Sequence, residues 1–139
     1  MAQFYVHTGM IGLDGVKMSK SLGNLVFVHK LVGAGEDPSA IRLGVFAGHY
    51  RNERDWSDEV LDGAKRRLAA WREALEQPGS MAGAEEVVAK LRAAIANDLD
   101  TPAALAAVDE WAEADRGTDE DGAADLVRTA LNSLLGVRA

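Results

Sequence analysis

Apolar residues recur at helical spacing from residue 57 onward, whereas before that point they occur in short, separate runs. The longest stripe repeats at intervals of three and four, as one face of a helix requires, through Leu61, Ala64, Leu68, Trp71 and Leu75. Ser57 is a good N-cap, and the two acids that follow it suit the positive end of the helix dipole. We predict that this helix runs from Ser57 to the Pro78-Gly79 pair.

Three more helices are predicted in the second half of the chain. One covers about residues 82–97, and the next opens at Thr101-Pro102, where threonine caps the helix and proline occupies its first turn. The polar residues 115–122 predict a turn, and residues 126–134 carry the apolar positions of a last helix. Gly136 is placed to end that helix.

The chain before residue 56 alternates short apolar runs with loops, which is typical of a mixed α/β region. We interpret residues 3–7 and 10–13 as short strands or extended segments, and residues 25–28 as a candidate third strand. Residues 14–24 predict a loop, and two helices are expected, over residues 29–33 and from Asp37-Pro38 to about Gly48. So few short strands do not form a stable sheet alone. We therefore expect residues 1–55 to end a larger α/β domain and residues 56–139 to form an all-α helical bundle.

Composition excludes several classes of protein. Of 139 residues, 47% are hydrophobic and 27% are charged, which is the balance of a folded domain rather than of a disordered tail. No apolar run approaches the roughly 20 residues of a membrane span, and no secretory signal is visible. The absence of cysteine excludes disulfides and thiolate metal ligands within this sequence. We expect a cytoplasmic protein without a membrane partner.

The net charge of −7 is unevenly distributed along the chain. Residues 1–55 carry a net charge of +1, whereas residues 56–139 carry −8. An acidic surface repels the phosphates of nucleic acids, so the second segment is a poor general nucleic-acid binder. The cationic chemistry of the chain is therefore local.

The segment DGVKMSKSLGN at residues 14–24, called the lysine loop below, is the strongest candidate for that chemistry. Lys17 and Lys20 lie between glycines, which allow the backbone to move and to approach a ligand closely. Each lysine carries a compact charge on a flexible stem, and Ser19 and Ser21 add hydroxyl donors. Such a loop can close over a triphosphate and stabilise a departing pyrophosphate. A K-x-x-K pattern alone is more often a solvated turn, so the order of the whole segment decides.

That order, K-M-S-K-S followed by L-G-N, resembles the signature loop of class I aminoacyl-tRNA synthetases. The sequence around it at residues 5–24 is similar to the cysteinyl-tRNA synthetase branch, as are GHYR (48–51), WSDEVL (56–61) and DLDTPAAL (98–105). The segments GMIGLDG, SLGNLVFVHKL and LDTPAALAAVDEWA are most similar to the cysteine:glucosaminyl-inositol ligases of mycothiol biosynthesis. The resemblance covers nearly the whole chain. It implies that the α/β region is the C-terminal end of a Rossmann-like catalytic domain.

The resemblance also implies roles for individual residues. Lys20 would contact the phosphates of ATP with the help of Lys17, which makes these two the implied catalytic residues. The further residues implied in ATP binding are Met18, Ser19 and Ser21 of the loop, together with His7, Gly9 and Ile11 before it. The backbone at Ile11 would hold the adenine ring, and His7 and Gly9 would shape that pocket. A histidine at the end of a strand without any ligand explains His7 equally well.

The implied reaction is an ATP-dependent ligation. Cysteine would be activated as cysteinyl adenylate and transferred to the amine of glucosaminyl-inositol, with release of AMP and pyrophosphate and with Mg²⁺ expected beside ATP. Family members also carry an H-x-G-H motif for ATP and Cys/His zinc ligands, and neither pattern occurs here. We therefore predict no metal site in this chain, zinc elsewhere in the full-length protein, and no catalysis without the upstream half.

Two alternatives stay open at this point. A cysteinyl-tRNA synthetase would share the lysine loop but would have tRNA as its acceptor, although the net charge of −8 after residue 55 disfavours a grip on an RNA stem. A non-catalytic helical binding module would carry the loop without using it. In that module, replacing both lysines by alanine would leave adenylate formation unchanged.

Overall fold

The computed structural model describes residues 2–114, 117–118 and 120–139. Its elements are, in chain order, β1 (Ile11–Leu13), β2 (Val16–Lys17), α1 (Val28–Gly33), α2 (Pro38–Phe46), β3 (Arg54–Trp56), α3 (Asp58–Leu75), α4 (Met81–Ala96), α5 (Thr101–Glu113), α6 (Ala123–Ala130) and a π-helix (Leu131–Leu135). A small sheet with two helices thus precedes a segment that is almost entirely helical.

The strands form one mixed sheet in the order β2-β1-β3. β1 is antiparallel to β2 and parallel to β3, so Gly12 is aligned with Lys17 on one side and with Asp55 on the other. Asp14 and Gly15 join β1 to β2 with φ angles of 53° and 73°. Two successive left-handed residues make a tight hairpin turn whose twist matches that of the strands. The segment predicted as a loop therefore begins as a β-hairpin.

Two of the three candidate strands do not form, and one strand escapes prediction. Residues 3–7 form no strand, and Phe4 and Tyr5 are 86% and 75% exposed. Residues 25–27 are irregular, and Val28 already begins α1. An apolar run becomes a strand only where a partner strand is within reach, and the described residues offer none to either run. Strand β3 has charged residues in two of its three positions, which conceals it from an apolar pattern.

The larger hydrophobic core lies among α2 and the helices from α3 onward. Helix α4 packs against α5 and α6, while α3 packs against α2 and α5. The largest fully buried side chains are Trp71, Leu43, Leu91, Leu105, Leu131, Leu135, Val87, Val108, Val127 and Val137. Every residue of the apolar stripe predicted for α3 is buried, which confirms that helix and its inner face.

A smaller core joins the sheet to the helices. Its buried residues are Ile41 of α2, Trp56 of β3 and Leu61 of α3, and the half-buried Ile11 and Met18 pack against them. Because these side chains come from five separate places in the chain, they fix the position of β1 and of the lysine loop relative to the helices. The predicted domain boundary after residue 55 stays a prediction.

The predicted cap of α3 is confirmed, and that of α5 is wrong. The Ser57 hydroxyl accepts a hydrogen bond from the Val60 N–H at 3.3 Å. Helix α5 is capped instead by Asp100, whose carboxylate accepts from the Ala103 N–H at 3.1 Å, and Thr101 is already helical. Aspartate is at least as good an N-cap as threonine, so one residue earlier is an equally favourable start.

The end of the chain follows the prediction for its last helix, with one addition. Helix α6 continues into the π-helix, and Gly136 ends it in a left-handed conformation with φ 65°. Part of the predicted turn at residues 115–122, namely residues 115, 116 and 119, lies outside the described residues. None of the described helices is both long and apolar enough to cross a membrane.

Candidate functional site

The lysine loop presents both of its lysines to solvent from a hydrogen-bonded hairpin. Lys17 is the last residue of β2, Lys20 lies in the turn that follows, and both are exposed. The Lys20 carbonyl accepts a hydrogen bond from the Gly23 N–H at 3.2 Å. Gly23 has φ 67°, a left-handed conformation that glycine adopts without strain. Two flexible cationic side chains therefore extend from an ordered stretch of backbone.

Asn24 closes this loop with both ends of its side-chain amide. Its Oδ1 accepts a hydrogen bond from the Ser19 N–H at 2.9 Å, and its Nδ2 donates to the Lys17 carbonyl at 3.2 Å. A side chain that bonds to nearby backbone can replace strand pairing where the ladder has ended. The backbone on both sides of Met18 is held in this way.

The two serines of the loop contact each other. Their Oγ atoms are 3.1 Å apart, and the Ser19 Oγ also accepts from the Leu22 N–H at 3.3 Å. In this conformation the hydroxyls of Ser19 and Ser21 therefore stabilise the turn between the lysines and Asn24.

The hairpin places the lysine and the apolar residues of the predicted site on opposite faces. Lys17 is aligned with Gly12 and shares its face of the sheet. Ile11 and Met18, in contrast, pack into the smaller core against Trp56. The side chain of Ile11 thus points away from Lys17, which leaves only its backbone for the adenine contact that the resemblance implies.

Gly9 is required by a close approach of two backbone segments. Its N–H donates to the Tyr50 carbonyl at 2.8 Å, and a Cβ at Gly9 would collide with the backbone of Asn52. His7, two residues earlier, is exposed and lies outside any strand. Gly9 therefore sets the path of the chain into β1, and His7 lies beside that path.

A polar cluster centred on Asp98 holds the segment against which Gly9 packs. The Asp98 carboxylate accepts from the Arg51 Nε and from the Tyr50 hydroxyl, each at 2.6 Å, and the His49 Nε2 lies 3.9 Å from it. The hydrogen bond from Arg51, followed by that from Tyr50, lowers the pKa of Asp98 to about 2. The carboxylate is therefore ionised at neutral pH and ties the segment before β3 to the turn between α4 and α5.

Metal ligands do not converge in the part of the chain that the structure describes. No group of three or more histidine, aspartate or glutamate side chains is placed there to hold an ion. The sequence also lacks cysteine, so the residues present do not fit a zinc site with thiolate or mixed Cys/His ligands.

Two residues that the sequence analysis did not single out organise the loop. The contact of Asn24 with the loop had a signal in the local sequence, because asparagine is favoured where a side chain bonds to nearby backbone. The contact of Asp55 had no such signal. Its Oδ2 accepts a hydrogen bond from the Gly15 N–H at 3.1 Å, yet the two residues are 40 positions apart in the chain.

Comparison with known proteins finds close relatives along nearly the whole chain. It is 65% identical over 99% of its length to the L-cysteine:1D-myo-inositol 2-amino-2-deoxy-alpha-D-glucopyranoside ligase of Corynebacterium aurimucosum. Identity is 60% over 98% of the chain to the ligase of that name from Saccharomonospora viridis, and 54% over 98% to that from Actinosynnema mirum. The chain spans about a third of the length of each: 34%, 34% and 33%.

A family model locates the resemblance at the sheet and the lysine loop. Residues 1–66 match the model described as the tRNA synthetases class I (C) catalytic domain. The matched range contains β1, β2, β3, α1, α2 and the start of α3. The resemblance to the class I cysteinyl-tRNA synthetase branch that the sequence indicated is thereby confirmed.

Proposed function

We propose that this chain is the C-terminal part of an ATP-dependent ligase that joins cysteine to the amine of glucosaminyl-inositol. The observation that carries the proposal is the pair of exposed lysines, Lys17 and Lys20, on a K-M-S-K-S loop. This loop occurs in a chain whose relatives are named as ligases of cysteine and this amino sugar. Residues 1–55 would end the catalytic domain, and residues 56–139 would form the helical bundle beside it.

The first step would activate cysteine. A carboxylate oxygen of cysteine attacks the α-phosphorus of ATP, and the bond from that phosphorus to the pyrophosphate breaks. Negative charge develops on the departing pyrophosphate, where the ammonium group of Lys20, assisted by Lys17, stabilises it. Mg²⁺ accompanies ATP and offsets part of the same charge.

The second step would transfer the cysteinyl group. The amine nitrogen of the sugar attacks the carbonyl carbon of the adenylate, an amide bond forms, and AMP and a proton leave. The adenylate is a mixed anhydride with AMP as its leaving group, so the neutral amine attacks it without further activation by ATP. The residues of this chain contribute to it by holding the adenylate in place, since the proposed roles of Ile11, His7 and Gly9 concern its adenine ring.

The exposed apolar surface supports the view that the site is completed by another part of a longer protein. Large apolar side chains that are exposed concentrate in the first 32 residues, at Phe4, Tyr5, Val6, Met10, Val16, Leu22, Phe27, Val28 and Val32. Apolar surface gathered in this way normally packs against a further surface. In this proposal the upstream part of the ligase covers it and supplies the H-x-G-H motif and the zinc ligands. The cytoplasm, where thiols are kept reduced, suits a ligase that uses free cysteine.

The role of the lysines is tested by alanine substitution in the complete ligase. We expect Lys20→Ala to lower cysteine-dependent exchange of pyrophosphate into ATP by roughly 100-fold, since removal of one donor to a developing charge has an effect of that order. Lys17→Ala should have a smaller effect. Lys30→Ala is the matched control, because Lys30 is exposed on α1 with its Nζ over the Phe27 ring. Unchanged exchange in the Lys17→Ala/Lys20→Ala double variant would favour the binding-module alternative.

The identity of the acceptor is tested separately. The complete ligase should form an amide with glucosaminyl-inositol when given cysteine and ATP, and should leave tRNA uncharged. Charging of tRNA without reaction at the sugar amine would show that the chain comes from a cysteinyl-tRNA synthetase instead.

We also expect the chain of 139 residues to show no cysteine-dependent pyrophosphate exchange by itself. The physical reason is that the Cys/His zinc ligands expected to select cysteine are absent from its sequence. Its lysines, in addition, would act on a triphosphate that other residues position. Turnover by the isolated chain would contradict the division of the site proposed here.

A further inference from the structure

A row of three residues crosses the sheet on the face that carries Lys17. Gly12 of β1 is aligned with Lys17 of β2 and with Asp55 of β3. Residues aligned across neighbouring strands point to the same side of a sheet, so Lys17 and Asp55 stand on either side of a glycine. The same three residues line an open cleft of about 410 Å³ on this face.

The Asp55 carboxylate occupies the space above Gly12 and reaches the hairpin turn beyond it. A Cβ at Gly12 would collide with Asp55 Oδ1. The other oxygen, Oδ2, accepts a hydrogen bond from the Gly15 N–H at 3.1 Å. A side chain of β3 thus crosses over β1 and holds the turn that connects β1 to β2.

This contact matters because it holds the turn of the hairpin, whereas the smaller core holds the hairpin through Ile11, Leu13 and Met18. Strand β2 contains only two residues, and its pairing with β1 ends at the Gly12–Lys17 pair. A two-stranded hairpin of this size is not stable by itself in water. The bond to Asp55 therefore limits the angle at which the turn, and with it Lys17, stands relative to the rest of the sheet.

We propose that Asp55 is a positioning residue for the lysine loop: through the Gly15 N–H it holds the hairpin in the orientation from which Lys17 and Lys20 meet the triphosphate. This inference rests on the proposed function. It assigns to Asp55 no contact with substrate, and it explains why Gly12 carries no side chain. Any residue larger than glycine at position 12 displaces the carboxylate from its place.

Four variants of the complete ligase separate this role from a general effect on folding. Asp55→Ala removes the acceptor of the Gly15 N–H, whereas Asp55→Asn retains a side-chain oxygen for it. Gly12→Ala leaves Asp55 in the sequence but places a Cβ where Oδ1 now lies. Asp58→Ala is the matched control, since Asp58 is an exposed aspartate three residues further on, in the first turn of α3.

The first readout is hydrogen exchange, which does not depend on activity. In peptides that cover residues 11–17, Asp55→Ala and Gly12→Ala should each speed exchange roughly tenfold, as expected for loss of one hydrogen bond to a charged acceptor. Asp55→Asn and Asp58→Ala should leave these peptides as they are. Unchanged exchange in Asp55→Ala would overturn the inference, whether or not the ligase activity is the proposed one.

The second readout is cysteine-dependent pyrophosphate exchange. Asp55→Ala should lower kcat about tenfold while the KM for cysteine stays unchanged, and the double variant with Gly12→Ala should be no slower than either single variant, because both break one contact. Three results would each overturn the inference. The first is a loss of kcat in Asp55→Asn as large as in Asp55→Ala, and the second is a multiplicative loss of kcat in the double variant. The third is faster hydrogen exchange without a change in kcat. Absence of activity in the unmodified complete ligase would refute the proposed function, and hydrogen exchange would still test the contact.

Discussion

Asp109 is expected to be the most sensitive polar position of the helical region. It lies on α5, and its Oδ1 accepts a hydrogen bond from the Nε1 of Trp71 on α3 at 2.8 Å. Both of its oxygens also lie 3.0 Å from the Nε of Arg67. Trp71 is completely buried, so its indole N–H depends on this carboxylate for its hydrogen bond.

The size of the stability loss follows from the different burial of Trp71 and Arg67, the two partners of Asp109. Asp109→Ala leaves a buried donor without an acceptor, which costs about 1–3 kcal/mol. The Arg67 side chain keeps 29% of its surface and can be hydrated, so loss of the ion pair adds at most about 1 kcal/mol. We expect a total decrease of about 1–4 kcal/mol in the free energy of unfolding. Asp109→Asn, which retains an acceptor for the indole, should cost less than about 1 kcal/mol.

Urea unfolding followed by tryptophan fluorescence and by circular dichroism measures these differences. Glu110→Ala is the control, because Glu110 is the next residue of α5 and its carboxylate forms an exposed pair with Lys90 at 3.7 Å. Its effect should stay within about 0.5 kcal/mol. A decrease in Asp109→Ala no larger than that in Glu110→Ala would refute the reasoning, as would equal losses in the Ala and Asn variants of Asp109.

Three further predictions concern the surroundings of the lysine loop. Gly9→Ala should lower the free energy of unfolding by about 1–3 kcal/mol, since its Cβ collides with the backbone of Asn52; urea unfolding equal to that of the unmodified chain would contradict this. Asn24→Ala removes both hydrogen bonds that close the loop and should speed its hydrogen exchange while α4 and α5 stay protected. The pKa of Asp98 is lowered from its usual 3.8 to about 2 by Arg51, so the stability that the ionised carboxylate adds is present above pH 4 and is lost as the pH falls toward 2. Asp98→Asn should abolish that part of the acid unfolding transition. An unchanged acid transition would show that Asp98 contributes none of it.

The family resemblance and the longest helix were predictable from local sequence. The order of residues 17–21 indicated the resemblance, and the spacing of apolar residues located α3. The long-range contacts that hold the loop and its neighbouring segment in place could not be predicted. Asp55 and Gly15 are 40 residues apart, and Arg51 and Asp98 are 47 apart. No pattern of neighbouring residues indicates such pairs.

Local sequence also does not distinguish the neighbouring acids Asp109 and Glu110 from each other. A run of acids such as the one after residue 108 is typical of a solvated helix face, and Glu110 lies on one. Asp109, its neighbour, instead turns inward to Trp71. The helical period places both residues on α5, but only the crossing of α3 and α5 decides which of the two carboxylates meets a buried donor.

The sequence by itself determined the helices, the Ser57 cap of α3 and the cationic loop, because these depend on contacts between residues a few positions apart. Only the tertiary structure decided that residues 3–7 and 25–27 stay without strand partners and that the charged segment Arg54–Trp56 pairs with β1. A strand exists only as part of a pair, and the pair is chosen by the packing of Trp56 into the core between sheet and helices. The residues proposed to meet the triphosphate are neighbours in sequence, whereas Asp55, which holds the turn beside them, is 40 residues away from it.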